Sequence, residues 1–194
     1  MAIMECTRPI VLATASEARR KLVADAGIAF ATRVVDIDET PRDDEDVSEY
    51  VSRLARAKAE AVVPPSLDAV IVAVDTAIGL DRRIIGKPRD EHHARDILRA
   101  LSGREHEVAS AIAVRDLETA EIAVERISTD VLFWKLSDAA IEWYIGTGEW
   151  KGKAGGYAIQ GKGAALVESV SGCFTNVIGL SMPTFLRMLA RMES

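Results

Sequence analysis

The sequence predicts an α/β fold, and three stretches carry the prediction. Ala69–Val74 (AVIVAV) is a continuous apolar run rich in Val, the pattern of a strand buried on both faces. Pro9–Ala13 (PIVLA) reads as a short strand that passes through small residues, Thr14-Ala15-Ser16, into the helical segment EARRKLVADAG. His106–Arg115 and Glu121–Trp134 read as long strands joined by a polar turn, hence antiparallel neighbours.

Length and composition narrow the function. The chain has 194 residues, enough for one sizeable domain or two small lobes sharing a cleft, and it is read as a single domain over residues 1–194. The net charge of −6 argues against a nucleic-acid-binding protein, which needs a basic face, but leaves room for a small anion held by local lysines and arginines. Cys6 and Cys173 are far apart and form no CxxC pattern, so neither a zinc site nor a disulfide framework is indicated and a reduced compartment fits best. With no signal-like N-terminus and no apolar run near ~18 residues, a soluble, cytoplasmic protein with no membrane partner is expected. There is no internal repeat, Walker A signature or GxGxxG fingerprint.

In chain order, Ser16 is an N-cap candidate for the first helix and Gly27 its stop. Free backbone N–H groups at that helix start could receive a phosphate, and Arg19 and Arg20 stand beside it; the plain alternative is a capped surface helix with solvated arginines. Ile28–Ile37 is expected to form the second strand. The acidic stretch after it is read mostly as a solvated loop, with Asp38 and Glu39 kept as candidate Mg²⁺ or Mn²⁺ ligands. Val47–Val63 is the clearest helix: Val47, Tyr50, Val51, Leu54, Ala57 and Ala61 define its buried stripe, and Pro64-Pro65 end it. Lys58 lies on that stripe, so it either snorkels to an edge or faces a cleft containing an anion.

The strand at Ala69–Val74 runs into Asp75, and a carboxylate at a strand's C-terminal end sits where open α/β sheets bind ligands; a strand-end Asp capping a turn is the alternative. After a hairpin tipped by Arg82-Arg83 comes Gly86-Lys87-Pro88, whose lysine suits an anionic ligand. Asp90 caps a helix with Ala94, Ile97, Leu98 and Leu101 inside. His92 and His93 are adjacent, so they point apart on a helix and are read as surface residues; His106 is assigned a local hydrogen-bonding role. Ser137 or Asp138 caps the next helix, which Gly146 and Gly148 break. Gly148–Gly172 is rich in glycine, with Lys151, Lys153 and Lys162, and reads as a loop whose backbone approaches a ligand. Within it, the amide of Gln160 can both donate and accept, which suits a nucleobase edge. Ala164–Val170 is read as a strand, and a last helix starts near Pro183.

These segments together resemble the Maf nucleotide pyrophosphatases. The resemblance rests on Leu12–Ser16 with Arg19-Arg20, Asp38-Glu39-Thr40, Leu54–Ala59, Asp75-Thr76 and Gly86-Lys87-Pro88. It continues through Leu101-Ser102-Gly103 with His106, Lys153–Gly161 (KAGGYAIQG) and Asn176–Leu180, in family order over nearly the whole chain. It implies a mixed twisted sheet with flanking helices and two lobes around a cleft, shared with inosine triphosphatase-like proteins, and a homodimer. It also implies hydrolysis of a nucleoside triphosphate to monophosphate and pyrophosphate with a divalent cation (Mg²⁺, Mn²⁺ or Co²⁺). Carried over by motif, Asp75 activates water directly or through the metal, and Glu39 helps Asp75 hold the ion. Ser16, Arg19, Lys58 and Lys87 hold the triphosphate, and Arg19, Thr76 and Gln160 select the nucleotide.

The chain departs from the family pattern at Glu17-Ala18, where the proline after the motif serine is missing and a negative charge stands beside the phosphate site. Ser181, where proline is usual, is expected to affect a turn only. The spacing at residues 17–20 also resembles the subgroup implied to act on 7-methyl-GTP, but Thr76 and Tyr157–Gly161 resemble the dTTP/UTP type, so dTTP/UTP or a broader pyrimidine range is expected. The alternative is a non-catalytic, nucleotide-binding regulator of cell division, which Glu17 and Ala18 favour.

Overall fold

The computed structural model describes residues 8–63, 66 and 68–192; Cys6 and the helix stop assigned to Pro64-Pro65 lie outside them. The sheet is seven-stranded and mixed. Its strands are β1 (Ile10–Ala13), β2 (Ala31–Arg33), β3 (Val70–Leu80), β4 (Arg83–Ile85), β5 (Glu105–Asp116), β6 (Ile122–Phe133) and β7 (Val167–Ser171). The order is β2-β1-β3-β5-β6-β7, with β4 folded back on β3. β1 pairs parallel with both β2 and β3, and every other pairing is antiparallel.

The helices are α1 (Glu17–Asp25), α2 (Val47–Ala61), α3 (Glu91–Leu101), α4 (Asp138–Thr147), α5 (Phe174–Ile178) and α6 (Met182–Met192). Three of their N-caps are those expected, whereas Gly146 does not break α4 and Ala61, expected on the buried stripe of α2, is exposed. Ser16, Asp90 and Ser137 cap α1, α3 and α4 through their side chains. Asp46 and Glu49 close a capping box on α2, which satisfies backbone donors that the helix itself leaves free. Gly146 stays helical and Gly148, at φ 72°, is the residue that ends α4.

β3 is the axis of the molecule because each of its faces supplies a separate core. Ile71, Ala73 and Ala77 pack against Val51, Leu54 and Ala55 of α2. Val70, Val72 and Val74 pack against Val23 of α1 and Phe185 and Met188 of α6. A third cluster, around Ile78, Leu98, Phe133 and Tyr144, joins the hairpin half of β3 to α3 and α4. The strand therefore reads as an unbroken apolar run, as the sequence indicates.

Three expectations are corrected. The strand at Ala69–Val74 does not end at Asp75 but continues to Leu80, so Asp75 is a mid-strand residue. Ile28–Ile37 shortens to Ala31–Arg33: Val35 and Ile37 earn their apolar pattern by packing against the α2 side of the core, not by strand pairing. Ala164–Val170 is a 3-10 turn over Lys162–Leu166 followed by β7, Leu166 being buried by the turn. The five-residue α5 carries no sequence periodicity long enough to have been expected. No helix among the described residues is long and apolar enough to cross a membrane.

Candidate functional site

The site comes from a gap in the pairing of β3. Along one edge, β1 covers Val70–Ala73 and β4 covers Ile78–Leu80, leaving Val74–Ala77 without a strand on that side among the described residues. A cleft of about 680 Å³ opens into this gap. Asp75 and Thr76 lie in it on opposite faces of the sheet, because successive side chains of a strand alternate. So Asp75 does stand at the carboxyl end of the parallel part of the sheet, although its own strand runs on.

Asp75 is only 7% exposed. It faces α2, where the apolar spacing brings Lys58 inward, and Lys58 Nζ lies 2.5 Å from Asp75 Oδ1 and 2.6 Å from Glu39 Oε1. Lys58 faces a cleft rather than snorkelling to an edge. Glu39 sits on the loop before α2. That loop is pinned by the Tyr50 hydroxyl donating to the Glu39 carbonyl at 2.9 Å and by Arg53 donating twice to the Glu45 carboxylate. Burial alone would raise the Glu39 carboxyl, but the hydrogen bonds and charges of Lys58 and Lys87 hold it below the ordinary range. Lys87 is more loosely placed, with Nζ 3.6 Å from Glu39 Oε2 and the side chain exposed. Asp38 turns away to accept from the Thr40 amide.

Arg19 closes the other side of the gap. Its guanidinium donates to the Val74 carbonyl at 2.8 Å, a group that would otherwise be left by the missing strand, and to Gly179 O and Thr76 Oγ1 at 2.8 and 2.9 Å. Burial pulls its pKa down, while the Asp75 and Glu39 carboxylates push it back up. Thr76 Oγ1 also bonds the buried Ser110 hydroxyl at 2.8 Å. Ser16 caps α1 by accepting from the Arg19 amide and lines the cleft beside Glu17. Ser181 is more than a turn residue: buried, it accepts from the Thr184 amide at the start of α6.

Gln160, an exposed residue, lines the opposite wall with Lys153, Ala158 and the buried Ile159. The glycines of this loop are needed for packing. A Cβ on Gly163 would come within 2.1 Å of the Ala158 carbonyl oxygen, and one on Gly155 within 2.7 Å of Ile78 Cγ1. Gly163→Ala is accordingly expected to cost about 1–3 kcal/mol of unfolding free energy in urea melts, because backbone rather than a flexible side chain must move.

Beneath this wall, His106 Nε2 and the Tyr157 hydroxyl share a 2.9 Å hydrogen bond inside an aromatic cluster with Phe133. This is the local role the sequence assigns to His106. Burial lowers His106 from 6.5 to about 4, the Arg104 carbonyl offsetting only part of that; Nδ1 meets no partner in good hydrogen-bond geometry among the described residues. The unfolded chain therefore takes up this proton at higher pH than the native one. Its contribution to stability is complete above pH 6.5 and is lost as the pH falls towards 4. A loss of about 1.5 kcal/mol is expected between pH 6.5 and 5, since a pH unit is worth up to ~1.4 kcal/mol once the unfolded imidazole is fully protonated. Urea unfolding of the wild type and His106→Leu at both values checks this: the slope should flatten in the variant.

The carboxylates suit a divalent cation. Asp75 and Glu39, from different elements, converge on one point, and the Lys58 ammonium already occupies it as a cation of the protein's own. No cluster of three or more His, Cys, Asp or Glu is found among the described residues, so protein groups alone would leave such an ion under-coordinated. Two hard oxygen donors completed by phosphate oxygens is how Mg²⁺ is commonly held at nucleotide sites.

The family described as Maf-like protein matches residues 9–192. The chain belongs to this family. Among Maf-like relatives, the dTTP/UTP pyrophosphatase of Anaeromyxobacter dehalogenans (strain 2CP-1 / ATCC BAA-258) is 46% identical over 94% of this chain and 93% of its own. That of Myxococcus xanthus is 42% identical over 94% and 91%, and that of Pelotomaculum thermopropionicum 39% over 95% and 96%. A solved HAM1 protein from Coxiella burnetii aligns with TM-score 0.46 and 19% identity over 67% of this Maf-like chain and 75% of that one. The structure brings Ser16, Arg19, Glu39, Lys58, Asp75, Thr76, Lys87 and Gln160 to one cleft. Residues around that cleft which sequence reasoning passed over are Ser110 beneath Thr76, and Tyr144 and Glu149 behind the Gln160 wall. Each reaches the site through long-range contacts that leave no local pattern.

Proposed function

We propose that this chain is a nucleoside triphosphate pyrophosphatase that hydrolyses dTTP and UTP to the monophosphate and pyrophosphate, with Asp75 activating the attacking water. The observation that carries the proposal is the nearly buried Asp75 carboxylate on the cleft floor, facing Lys58 and Glu39. The relatives named above act on the same two nucleotides, which share a pyrimidine base.

The chemistry follows from the residue types. A water oxygen forms a bond to the α-phosphorus as the bond from that phosphorus to the bridging oxygen breaks, and pyrophosphate leaves with the electron pair. Asp75 takes the proton of the water, a general-base role suited to a carboxylate within reach of it. Negative charge grows on the phosphoryl oxygens and the leaving group, where Lys58, Lys87 and Ser16 supply cation and hydroxyl donors. A divalent ion held by Asp75 and Glu39 would acidify water and offset phosphate charge. Arg19 and Thr76, tied to each other in the gap, and Gln160 on the facing wall bracket the nucleoside and give the cleft its selectivity.

The test is pyrophosphate release across a nucleotide panel that includes dTTP, UTP, 7-methyl-GTP and purine triphosphates, with Mg²⁺, Mn²⁺ or Co²⁺. Fastest turnover of dTTP and UTP is the expected result. Tight binding without turnover of any nucleotide overturns it in favour of a regulator.

A further inference from the structure

The wall that carries Gln160 is held from behind. Residues 155–163 have little regular pairing of their own, apart from short 3-10 turns, yet they are fastened at successive points to other elements. Gly155 N donates to the Gly86 carbonyl at 3.0 Å, next to Lys87. The Tyr157 hydroxyl meets His106 on β5, and the Ala158 amide donates to the Tyr144 hydroxyl of α4 at 3.0 Å. Beyond Gln160, the Lys162 and Gly163 amides donate to the two carboxylate oxygens of Glu149, at 3.1 and 3.2 Å. Glu149 follows the left-handed Gly148 that ends α4, and its own amide donates to Thr147 Oγ1, so its position is fixed by the helix end.

Gln160 thus lies between fastenings that both return to the same structure, the end of α4. Tyr144 holds the chain two residues before it and Glu149 the chain two and three residues after it. The two Glu149 bonds are charge-assisted, the stronger class of hydrogen bond. Glu149 also packs against Gly161, where a Cβ would lie 3.0 Å from its Oε1, so the loop is seated directly on the carboxylate.

We propose that Glu149 is a positioning residue for nucleobase selection: its carboxylate fixes the loop so that the Gln160 amide is presented to the base in one orientation. Glu149 does not line the cleft; it acts through Gln160. An amide that could swing would donate or accept equally well and would discriminate poorly between base edges. The inference rests on the reading of the cleft as a nucleotide site with Gln160 at the base.

The experiment compares the wild type with Glu149→Gln, Glu149→Ala and Gln160→Ala, measuring kcat and KM on dTTP and on dGTP. Glu149→Ala should raise KM for dTTP roughly tenfold with kcat within about twofold, and should lower the dTTP-to-dGTP ratio of kcat/KM by a similar factor. Glu149→Gln keeps one acceptor oxygen and should fall between. The Glu149→Ala, Gln160→Ala double variant should lose little more discrimination than Gln160→Ala alone, as expected of residues that act through one contact. Hydrogen exchange should show faster exchange at the Lys162 and Gly163 amides of Glu149→Ala. Unchanged discrimination in Glu149→Ala, or equal loss of kcat on both nucleotides with a lowered Tm, overturns the proposal and assigns Glu149 a general structural role. If the wild type releases no pyrophosphate from any nucleotide, the enzymatic reading fails on its own. The positioning role is then decided by the ratio of equilibrium affinities for dTTP and dGTP, which Glu149→Ala must narrow.

Discussion

Replacing Asp75 with asparagine is expected to reduce pyrophosphate release by about 10³-fold or more while leaving the protein folded. Asparagine matches aspartate in shape, so the packing of β3 against α2 is kept and the cleft is not reshaped. What it lacks is a site for the water proton, and a positioned general base contributes on the order of 10²–10⁴ in rate. The variant also loses one of the two carboxylates converging on Lys58, so any cation held there is held more weakly. Lys58 keeps Glu39 at 2.6 Å, and the ammonium is therefore not stranded. Circular dichroism and urea unfolding should give a Tm and midpoint near those of the wild type, separating lost chemistry from lost structure. Near-normal turnover in this variant would remove Asp75 from the reaction.

Which parts of this arrangement were legible in the sequence follows from the range of the interactions that make them. Lys58 was readable in part because helical periodicity is local: its spacing from Val51 and Leu54 puts it on the buried stripe, where a lysine either snorkels to an edge or faces an anion. Asp75 was readable as a carboxylate interrupting an apolar run. Its surroundings were not, because they depend on where β1 stops and where β4 returns along the same edge, and a strand apolar on both faces has no alternation from which to read its pairing register. The sequence placed Asp75 at the end of a strand; the structure places it within an eleven-residue strand, at the end of the partner β1. Arg19 shows the same limit. Its place in the first turn of α1 suggested a phosphate, while its bond to the Val74 carbonyl could be expected only once the gap was known. The glycine loop was read as approaching a ligand, while the close approaches of Gly155 and Gly163 are to Ile78 and Ala158; the carboxylate that seats the loop lies on another element's end, and Glu149 carries no pattern of its own.

Lys58→Met is expected to have the second large effect, and to separate charge from packing. Met keeps most of the apolar stem of the lysine against the α2 stripe and removes the ammonium. Asp75 and Glu39 are then left facing one another without the cation between them, and Asp75 is nearly buried. Removing one partner of a buried ion pair typically costs about 3–5 kcal/mol; because Glu39 is partly exposed and can turn to solvent, about 2–3 kcal/mol is expected in metal-free buffer. Turnover should fall by about 10²-fold or more, since a cation at the phosphates is lost. The distinguishing result is in the response to Mg²⁺ without nucleotide. In the wild type the ammonium competes for the point where the carboxylates converge, so Mg²⁺ should raise Tm little. In Lys58→Met the same point is doubly negative, and Mg²⁺ should raise Tm by several degrees and saturate. Equal shifts in both proteins would show that Lys58 does not occupy the cation position, and the two carboxylates would then have to act apart.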